Sequence, residues 1–273
     1  MIGAVRLWLG RSDGRRVFPA MVAVVLLVVF SRSGWHSDWL RALSWANGST
    51  LLLSPLLAGA VAFTVWRQYG RDLQALTATT LRGARTVLHL TLALWLYAVA
   101  AWALGVAAVV GRTWLAGTTG ATPDAWTLVT GPGALVAAAG VGAVVGVVVR
   151  HLAAAPLAVL FVYLAPLPTG PMAYPEVLFI PGATGSLTGF RPILSLEYAT
   201  IAANALIAVA AVYLTWRLTR VRTRDFILPD LIGLAAVIGL VLVVAPFARS
   251  GQVDTYYEVT TARCLAQAVA PYP

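Results

Sequence analysis

The chain has 273 residues, of which 60% are hydrophobic and 11% charged, and its mean hydropathy is +0.83. Soluble domains contain roughly 45–50% apolar and about 25% charged residues, so this composition excludes a soluble globular protein. The net charge is +9, from 19 basic and 10 acidic residues, and every basic residue is an arginine. The absence of lysine excludes a P-loop lysine on ATP phosphates and any Schiff-base lysine.

Long apolar runs predict an all-α integral membrane protein with about seven transmembrane helices. The predicted spans are residues 17–31, 49–66, 87–111, 132–149, 152–167, 199–216 and 231–247. The first run is short and follows a basic N-terminus, so it also resembles the core of a signal peptide. We interpret it as an uncleaved anchor, because no small-x-small cleavage site follows it.

The arginines divide unequally between the two sets of predicted loops. Thirteen fall in one set: Arg6, Arg11, Arg15, Arg16, Arg67, Arg71, Arg82, Arg85, Arg150, Arg217, Arg220, Arg222 and Arg224. Six fall in the other: Arg32, Arg41, Arg112, Arg191, Arg249 and Arg263. The positive-inside rule then predicts a multi-pass protein of the bacterial cytoplasmic membrane with a cytoplasmic N-terminus and an extracytoplasmic C-terminus. Short arginine clusters between apolar runs also argue against a nucleic-acid partner.

Few residues suggest that the chain itself catalyses a reaction or binds a metal or cofactor. His36, His89 and His151 are isolated in the sequence, so we expect no metal site, no cofactor and no catalytic residues. No acidic residue lies inside the first six predicted spans, which argues against a proton- or sodium-driven transporter. Asp230, at the edge of the seventh, follows a proline and is best interpreted as a helix cap. Cys264 is the single cysteine and cannot form an internal disulfide.

The loop between the second and third predicted spans is amphipathic at helical spacing. Apolar positions such as Leu73, Leu76 and Val87 share one side, and Arg71, Arg82 and Arg85 gather on the other; Thr80 and Ala84 complete the apolar side. A helix of this kind can lie at the cytoplasmic surface with its cationic face toward lipid head groups or a partner. Equally, the segment can be a cytoplasmic extension of the third span whose arginines only fix topology.

Small residues in the fourth predicted span suggest close helix packing. Gly140, Gly142 and Gly146 form one face, and Gly142 and Gly146 make a G-x-x-x-G pair. Such faces let two helices approach closely, more often within one chain than between copies.

The layout resembles the permease subunit of type-2 ABC exporters. The resemblance rests on the basic N-terminal segment 5–11, the cytoplasmic loop 71–85, the short Arg150-His151 turn and the outer apolar segment 174–180. It implies a six-span permease-like domain over residues 1–220, preceded by an amphipathic elbow segment, with 174–180 in an outer re-entrant region. Residues 221–273, with the seventh span and an extracytoplasmic tail, depart from this six-span pattern.

The same resemblance implies partners and a docking element. In that family the loop after the second span is a coupling helix that binds a separate ATPase, and two permease subunits, identical or different, form the pathway. The candidate ATPase-docking residues are Arg71, Asp72, Leu73, Leu76, Arg82 and Arg85.

The sequence therefore favours the membrane subunit of an ATP-driven exporter that is not itself an enzyme and that needs an ATPase supplied by another chain. Its substrate is not indicated. The alternatives are a non-transporting scaffold or accessory subunit of a membrane complex and, third, an integral-membrane enzyme.

Overall fold

The computed structural model describes residues 14–31, 35–37, 39–68, 82–118, 125–164, 190–192, 194–220 and 257–259. These residues are almost entirely helical. The helices are α1 (Gly14–Phe30), a 3-10 turn (Trp35–Ser37), α2 (Trp39–Gly48), α3 (Thr50–Gln68), α4 (Arg82–Leu115), α5 (Ala125–Val149), α6 (Ala154–Leu164) and α7 (Leu194–Arg220). Two three-residue strands, β1 (Phe190–Pro192) and β2 (Tyr257–Val259), pair antiparallel.

Four segments of the described chain are long and apolar enough to cross a membrane: Trp39–Gln68, Arg85–Leu115, Leu128–Val149 and Thr200–Thr219. The prediction of a helical membrane protein is thereby confirmed, but the count of seven spans is not. At 1.5 Å per residue, the 17 residues of α1 extend about 26 Å and the 11 residues of α6 about 17 Å. Both are shorter than the ~30 Å hydrocarbon core of a bilayer. The seventh predicted span, 231–247, lies outside the described residues.

The segment Trp39–Gln68 corresponds to the second predicted span. It begins ten residues before the predicted start at Ser49, because α2 precedes α3 almost without interruption. Ser49 separates the two helices, and its hydroxyl donates a 2.7 Å hydrogen bond to the Ala46 carbonyl. The Thr50 hydroxyl donates at 2.8 Å to the Asn47 carbonyl. These hydroxyls satisfy carbonyls at the end of α2, which have no partner within the helix.

Helix α5 lies in the centre of the bundle, between α3 and α7. Gly142 and Gly146 lie against Ala58 and Ala62 of α3, so α3 and α5 run parallel. A β-carbon built at Gly146 would lie 2.8 Å from the Ala62 carbonyl oxygen, closer than real side chains approach. Glycine is therefore what allows the two backbones to pack at this distance.

On its other side α5 packs parallel to α7. A β-carbon at Gly140 would lie 2.7 Å from the Ala211 side chain, and one at Gly133 would lie 3.9 Å from the Asn204 Cβ. Both contacts run in the same direction along the two helices. The C-terminal ends of α3, α5 and α7 therefore lie together at one end of the bundle, which carries Arg67, Arg150 and Arg217 and which we term the arginine end.

Helix α4 runs the opposite way and ends at the other end of the bundle. Gly117, with φ +66°, closes α4, and its amide donates to the Trp114 carbonyl at 3.0 Å, as in a glycine C-cap. The next residue, Thr118, donates its hydroxyl to the His36 carbonyl at 2.7 Å and accepts from Trp39 Nε1 at 3.3 Å. We term this the tryptophan end, after Trp39 and Trp114.

The turn between α5 and α6 lies at the arginine end. Arg150 has φ 47°, a left-handed conformation that is uncommon outside glycine and that stops α5. Its Nε donates to the Val147 carbonyl at 3.1 Å, and His151 Nδ1 accepts from the Ala153 amide at 3.2 Å. The chain reverses direction within these few residues.

Many large apolar side chains point out of the bundle. Leu115 is 75% exposed, Leu27 67% and Val209 67%, and Leu160 and Phe161 of α6 are also exposed. Continuous apolar surface of this kind is not stable in water. It fits helices whose outer faces contact lipid.

The strand pair places two distant segments at the same end of the bundle. In the register, Arg191 pairs with Glu258, and β1 lies directly before α7, which begins at the tryptophan end. The chain leaves α7 at the arginine end and is again at the tryptophan end by Tyr257.

Candidate functional site

Polar side chains are buried among α2, α4, α5 and α7, in the half of the bundle nearer the tryptophan end. We term this set the polar core; its members are Asn47, Trp102, Thr130, Glu197, Thr200 and Asn204. All six are at most 8% exposed. Polar groups inside a membrane bundle are rare and costly, so a set of them is a candidate functional site.

The first link in the polar core joins α2 to α5. Asn47 Nδ2 donates to the Thr130 hydroxyl at 3.4 Å, and Asn47 is 1% and Thr130 4% exposed. Asn47 precedes the break at Ser49, so this bond fixes the end of α2 against the first part of α5.

The next residues of α5, Gly131, Pro132 and Gly133, contact side chains of α4 and α7. Trp95 Nε1 donates to the Pro132 carbonyl at 3.2 Å. A β-carbon at Gly131 would lie 2.8 Å from Trp102 Nε1, so any other residue there would displace the indole. Two tryptophans of α4 are thus held against the α5 backbone.

Helix α7 completes the polar core. Asn204 is fully buried beside Gly133, and neither its amide nitrogen nor its carbonyl oxygen has a hydrogen-bond partner among the residues described. Glu197 and Thr200 precede it by seven and four residues, so all three lie on one face of α7. Glu197 is 8% and Thr200 6% exposed.

Glu197 is the one carboxylate within the described helices. The sequence did not indicate it, because the sixth span was predicted to begin at residue 199. The structure begins α7 at Leu194, so Glu197 lies in the first turn of this helix, where its side chain is buried. The amide of Asn204 and the indole N–H of Trp102 have no hydrogen-bond partner among the described residues, so they can offer donors and an acceptor to a ligand.

A sequence signal for this site existed. Asn204 interrupts the apolar run 199–216, and an amide inside a span is a polar contact between helices by default. Spacings of four and seven residues then add Thr200 and Glu197 on the same face. The contributions of Trp102 and Thr130 could not be predicted, because they depend on how three helices pack.

The predicted docking residues are only partly covered by the structure. Arg71, Asp72, Leu73 and Leu76 lie outside the described residues. Arg82 and Arg85 lie in the first turn of α4, and the Arg85 side chain is exposed while Val87 is buried. The last part of the amphipathic segment therefore belongs to the long helix α4, at the arginine end.

The predicted packing glycines face the interior of this chain. Gly142 and Gly146 contact α3, so within the described chain their face is not free to bind a second copy. The prediction that Gly140 shares this face is wrong: Gly140 lies against Ala211 of α7, because a spacing of two residues turns a helix by about 200°. The outer segment 174–180, the elbow segment 5–11, Asp230 and Cys264 lie outside the described residues.

Comparisons with protein-family models, with curated proteins and with solved structures find no match to this chain. Within the described residues, no group of three or more His, Cys, Asp or Glu side chains could hold a metal ion.

Proposed function

We propose that this chain is the membrane-spanning permease subunit of a type-2 ABC exporter and that it works with an ATPase supplied by a separate chain. A second permease subunit, identical or different, would complete the pathway. The observation that carries the proposal is the arginine end, where the C-termini of three parallel helices and the start of α4 lie; the sequence of residues 69–81, between α3 and α4, is amphipathic at helical spacing.

The same proposal includes the orientation of the bundle in the membrane. Arg67, Arg85, Arg150 and Arg217 lie at one end of the bundle, whereas Arg41 and Arg112, in the described helices, lie near the other. By the positive-inside rule the arginine end is cytoplasmic. An ATPase would then meet the loop 69–81 and the first turn of α4 on the side where ATP is available.

The six-span pattern receives support from helix direction. The parallel α3, α5 and α7 and the antiparallel α4 are the directions expected when consecutive spans alternate across a membrane. In this proposal α1 and α6 are the first and fifth spans, although each helix is shorter than the bilayer core. The return of the chain to the tryptophan end by Tyr257 is consistent with a seventh span at 231–247 and an extracytoplasmic tail.

The docking loop is tested by charge reversal. The double variant Arg71→Glu/Arg82→Glu is expected to insert normally, because the other arginines still fix topology, and to lose its co-purifying ATPase. Leu73→Ala and Leu76→Ala should be measured beside it, because binding energy concentrates in a few central residues. Arg112→Glu, at the exposed tryptophan end of α4, is the matched control and should keep the ATPase.

An inserted double variant that retains its ATPase at wild-type yield would overturn the docking assignment. Partners that co-purify with no dependence on nucleotide would instead favour the scaffold or accessory subunit. Activity of the purified chain alone would favour the membrane enzyme.

A further inference from the structure

We infer that the bilayer is locally thinned beside α1 at the arginine end and that Arg15 and Arg16 bind the phosphate of an anionic phospholipid there. The partner is a component of the surrounding membrane. The inference does not depend on the exporter proposal, because it uses only the packing of α1 and the lipid-facing surface of the bundle.

Helix α1 runs parallel to α4, and two contacts fix their register. The centroids of the Phe18 and Tyr97 rings lie 5.6 Å apart, and a β-carbon built at Gly105 would meet the Val25 side chain. Between these contacts α1 advances seven residues and α4 eight. The two helices therefore keep one register, and α1, like α4, begins toward the arginine end.

This register places the arginines of α1 well inside the bundle. Arg15 lies three residues before Phe18, about 4.5 Å along the helix axis. Arg85 lies twelve residues before Tyr97, about 18 Å along the axis of α4. The backbone of Arg15 is therefore ~13 Å closer to the middle of the bundle than that of Arg85, and snorkelling of a side chain recovers only part of such a distance.

Both arginines face outward. Arg15 and Arg16 are exposed, and Arg16 shares one stripe of α1 with Leu27 and Phe30, at spacings of eleven and fourteen residues. Leu27 is 67% and Phe30 55% exposed, as expected for a stripe that faces lipid. Helices α1 to α4 contain no carboxylate, so the helices packed against α1 at this level carry no negative charge to balance the two arginines.

A flat bilayer surface cannot suit both α1 and α5. The α1–α4 register places Arg15 at the level of Trp95, which donates to the Pro132 carbonyl. Val148 is 55% exposed and lies sixteen residues beyond Pro132, about 24 Å toward the arginine end. A surface at the level of Arg15 would leave Val148 in water, and a surface at the level of Val148 would place Arg15 roughly 20 Å inside the membrane. The surface must therefore lie deeper beside α1 than beside α5.

A lipid phosphate is the group that fits this position. Guanidinium groups present donors in a fork geometry that matches phosphate oxygens, and the acyl chains of the same lipid can cover the apolar stripe below Arg16. Local thinning, with head groups and water drawn inward, lowers the cost of an arginine inside a membrane. A lipid of net negative charge fits better than a zwitterionic lipid, because the ammonium group of the latter would be repelled by the arginines.

The thinning is tested with spin labels on the full-length chain carrying Cys264→Ala, in vesicles of phosphatidylcholine and phosphatidylglycerol. Ala20→Cys places a label one turn from Arg16 on the same stripe. Ala100→Cys is the matched control, because Ala100 is also exposed and lies at nearly the same level on α4. The label at residue 20 should collide several-fold more often with a water-soluble nickel chelate than the label at residue 100, which should collide mainly with oxygen dissolved in the hydrocarbon.

The lipid is tested by native mass spectrometry of the full-length chain in detergent. The first phosphatidylglycerol should bind about tenfold more tightly than phosphatidylcholine, the factor that corresponds to ~1.4 kcal/mol. In the variant Arg15→Gln/Arg16→Gln the two affinities should become nearly equal. Arg112→Gln, which removes an exposed arginine near the tryptophan end of α4, should keep the preference.

The inference is overturned if the two labels are equally inaccessible to the chelate, which would mean that no head groups reach α1. Equal accessibility of both labels would mean a level surface and would also overturn it. A double variant that keeps the preference for phosphatidylglycerol would place the lipid at other arginines and contradict the assignment. Because neither measurement contains an ATPase, these outcomes leave the docking proposal standing.

Discussion

At the scale of single residues, the packing of this protein depends on the absence of side chains at a few positions. Gly142 and Gly146 bring α5 onto α3, and Gly131 leaves room for the Trp102 indole. Lipid tails are as apolar as leucine, so helices in a membrane gain stability from close packing and hydrogen bonds more than from hydrophobic burial. Adding a methyl group at such a position therefore tests how closely two helices pack.

The variant Gly142→Ala is expected to destabilise the protein by about 1–3 kcal/mol, because the added Cβ meets the Ala58 backbone, which has no flexible atom to move aside. Gly111→Ala is the matched control: nothing lies within 4 Å of its built Cβ, and alanine is favoured over glycine in a helix by roughly 0.5–1 kcal/mol. Thermal unfolding in detergent measures both. Equal midpoints for the two variants would show that α3 and α5 are not in close contact.

At the scale of helices, the parallel packing of α5 and α7 positions the polar core. It brings Gly133 beside Asn204 and Gly140 beside Ala211. If the register were shifted by one turn, Asn204 would face a different part of α5 and the polar core would not form.

The register is tested by cross-linking in the Cys264→Ala background. The pair Gly133→Cys/Asn204→Cys should form a disulfide on mild oxidation, because the 3.9 Å between the two β-carbons is within the range of about 3.5–4.5 Å seen in disulfides. The pair Gly133→Cys/Ala211→Cys is displaced by seven residues, about 10 Å along the helix, and should not cross-link. Cross-linking of the displaced pair alone would contradict the parallel register.

The positions of most helices in the sequence could be predicted, but the packing of the helices against one another could not. The apolar runs placed α3, α4, α5 and α7 because hydropathy alone decides which segments leave water. The ends of helices are harder to predict from the sequence. Helix α2 is short and contains Arg41, so the sequence pattern assigns it to a loop. The polar core was missed because it combines side chains more than a hundred residues apart, such as Asn47 and Asn204, and depends on the packing of four helices.

At the scale of the whole molecule, the proposed topology places the two ends of the bundle on opposite sides of the membrane. The arginine end carries the exposed His151, and the tryptophan end carries the exposed Ala116. Both are in turns rather than in helices, so substitution there should not disturb packing.

A membrane-impermeant maleimide tests this in intact cells lacking Cys264. The variant Ala116→Cys should be labelled directly, and His151→Cys only after permeabilisation, because the positive-inside rule places the arginine end in the cytoplasm. The reverse pattern would invert the orientation. Labelling of both variants in intact cells would mean that the bundle does not span the membrane.

The proposed function assigns nucleotide chemistry to a partner and not to this chain. It is tested most directly by measuring ATP hydrolysis in material purified in mild detergent through a tag on this protein. We expect ATP hydrolysis only in material that contains a second polypeptide, and we expect it to disappear when that polypeptide is removed. The reason is that this chain has no lysine for a P-loop. Tight ATP binding by the stripped chain in calorimetry, or purified material with neither a second polypeptide nor turnover, would contradict the claim.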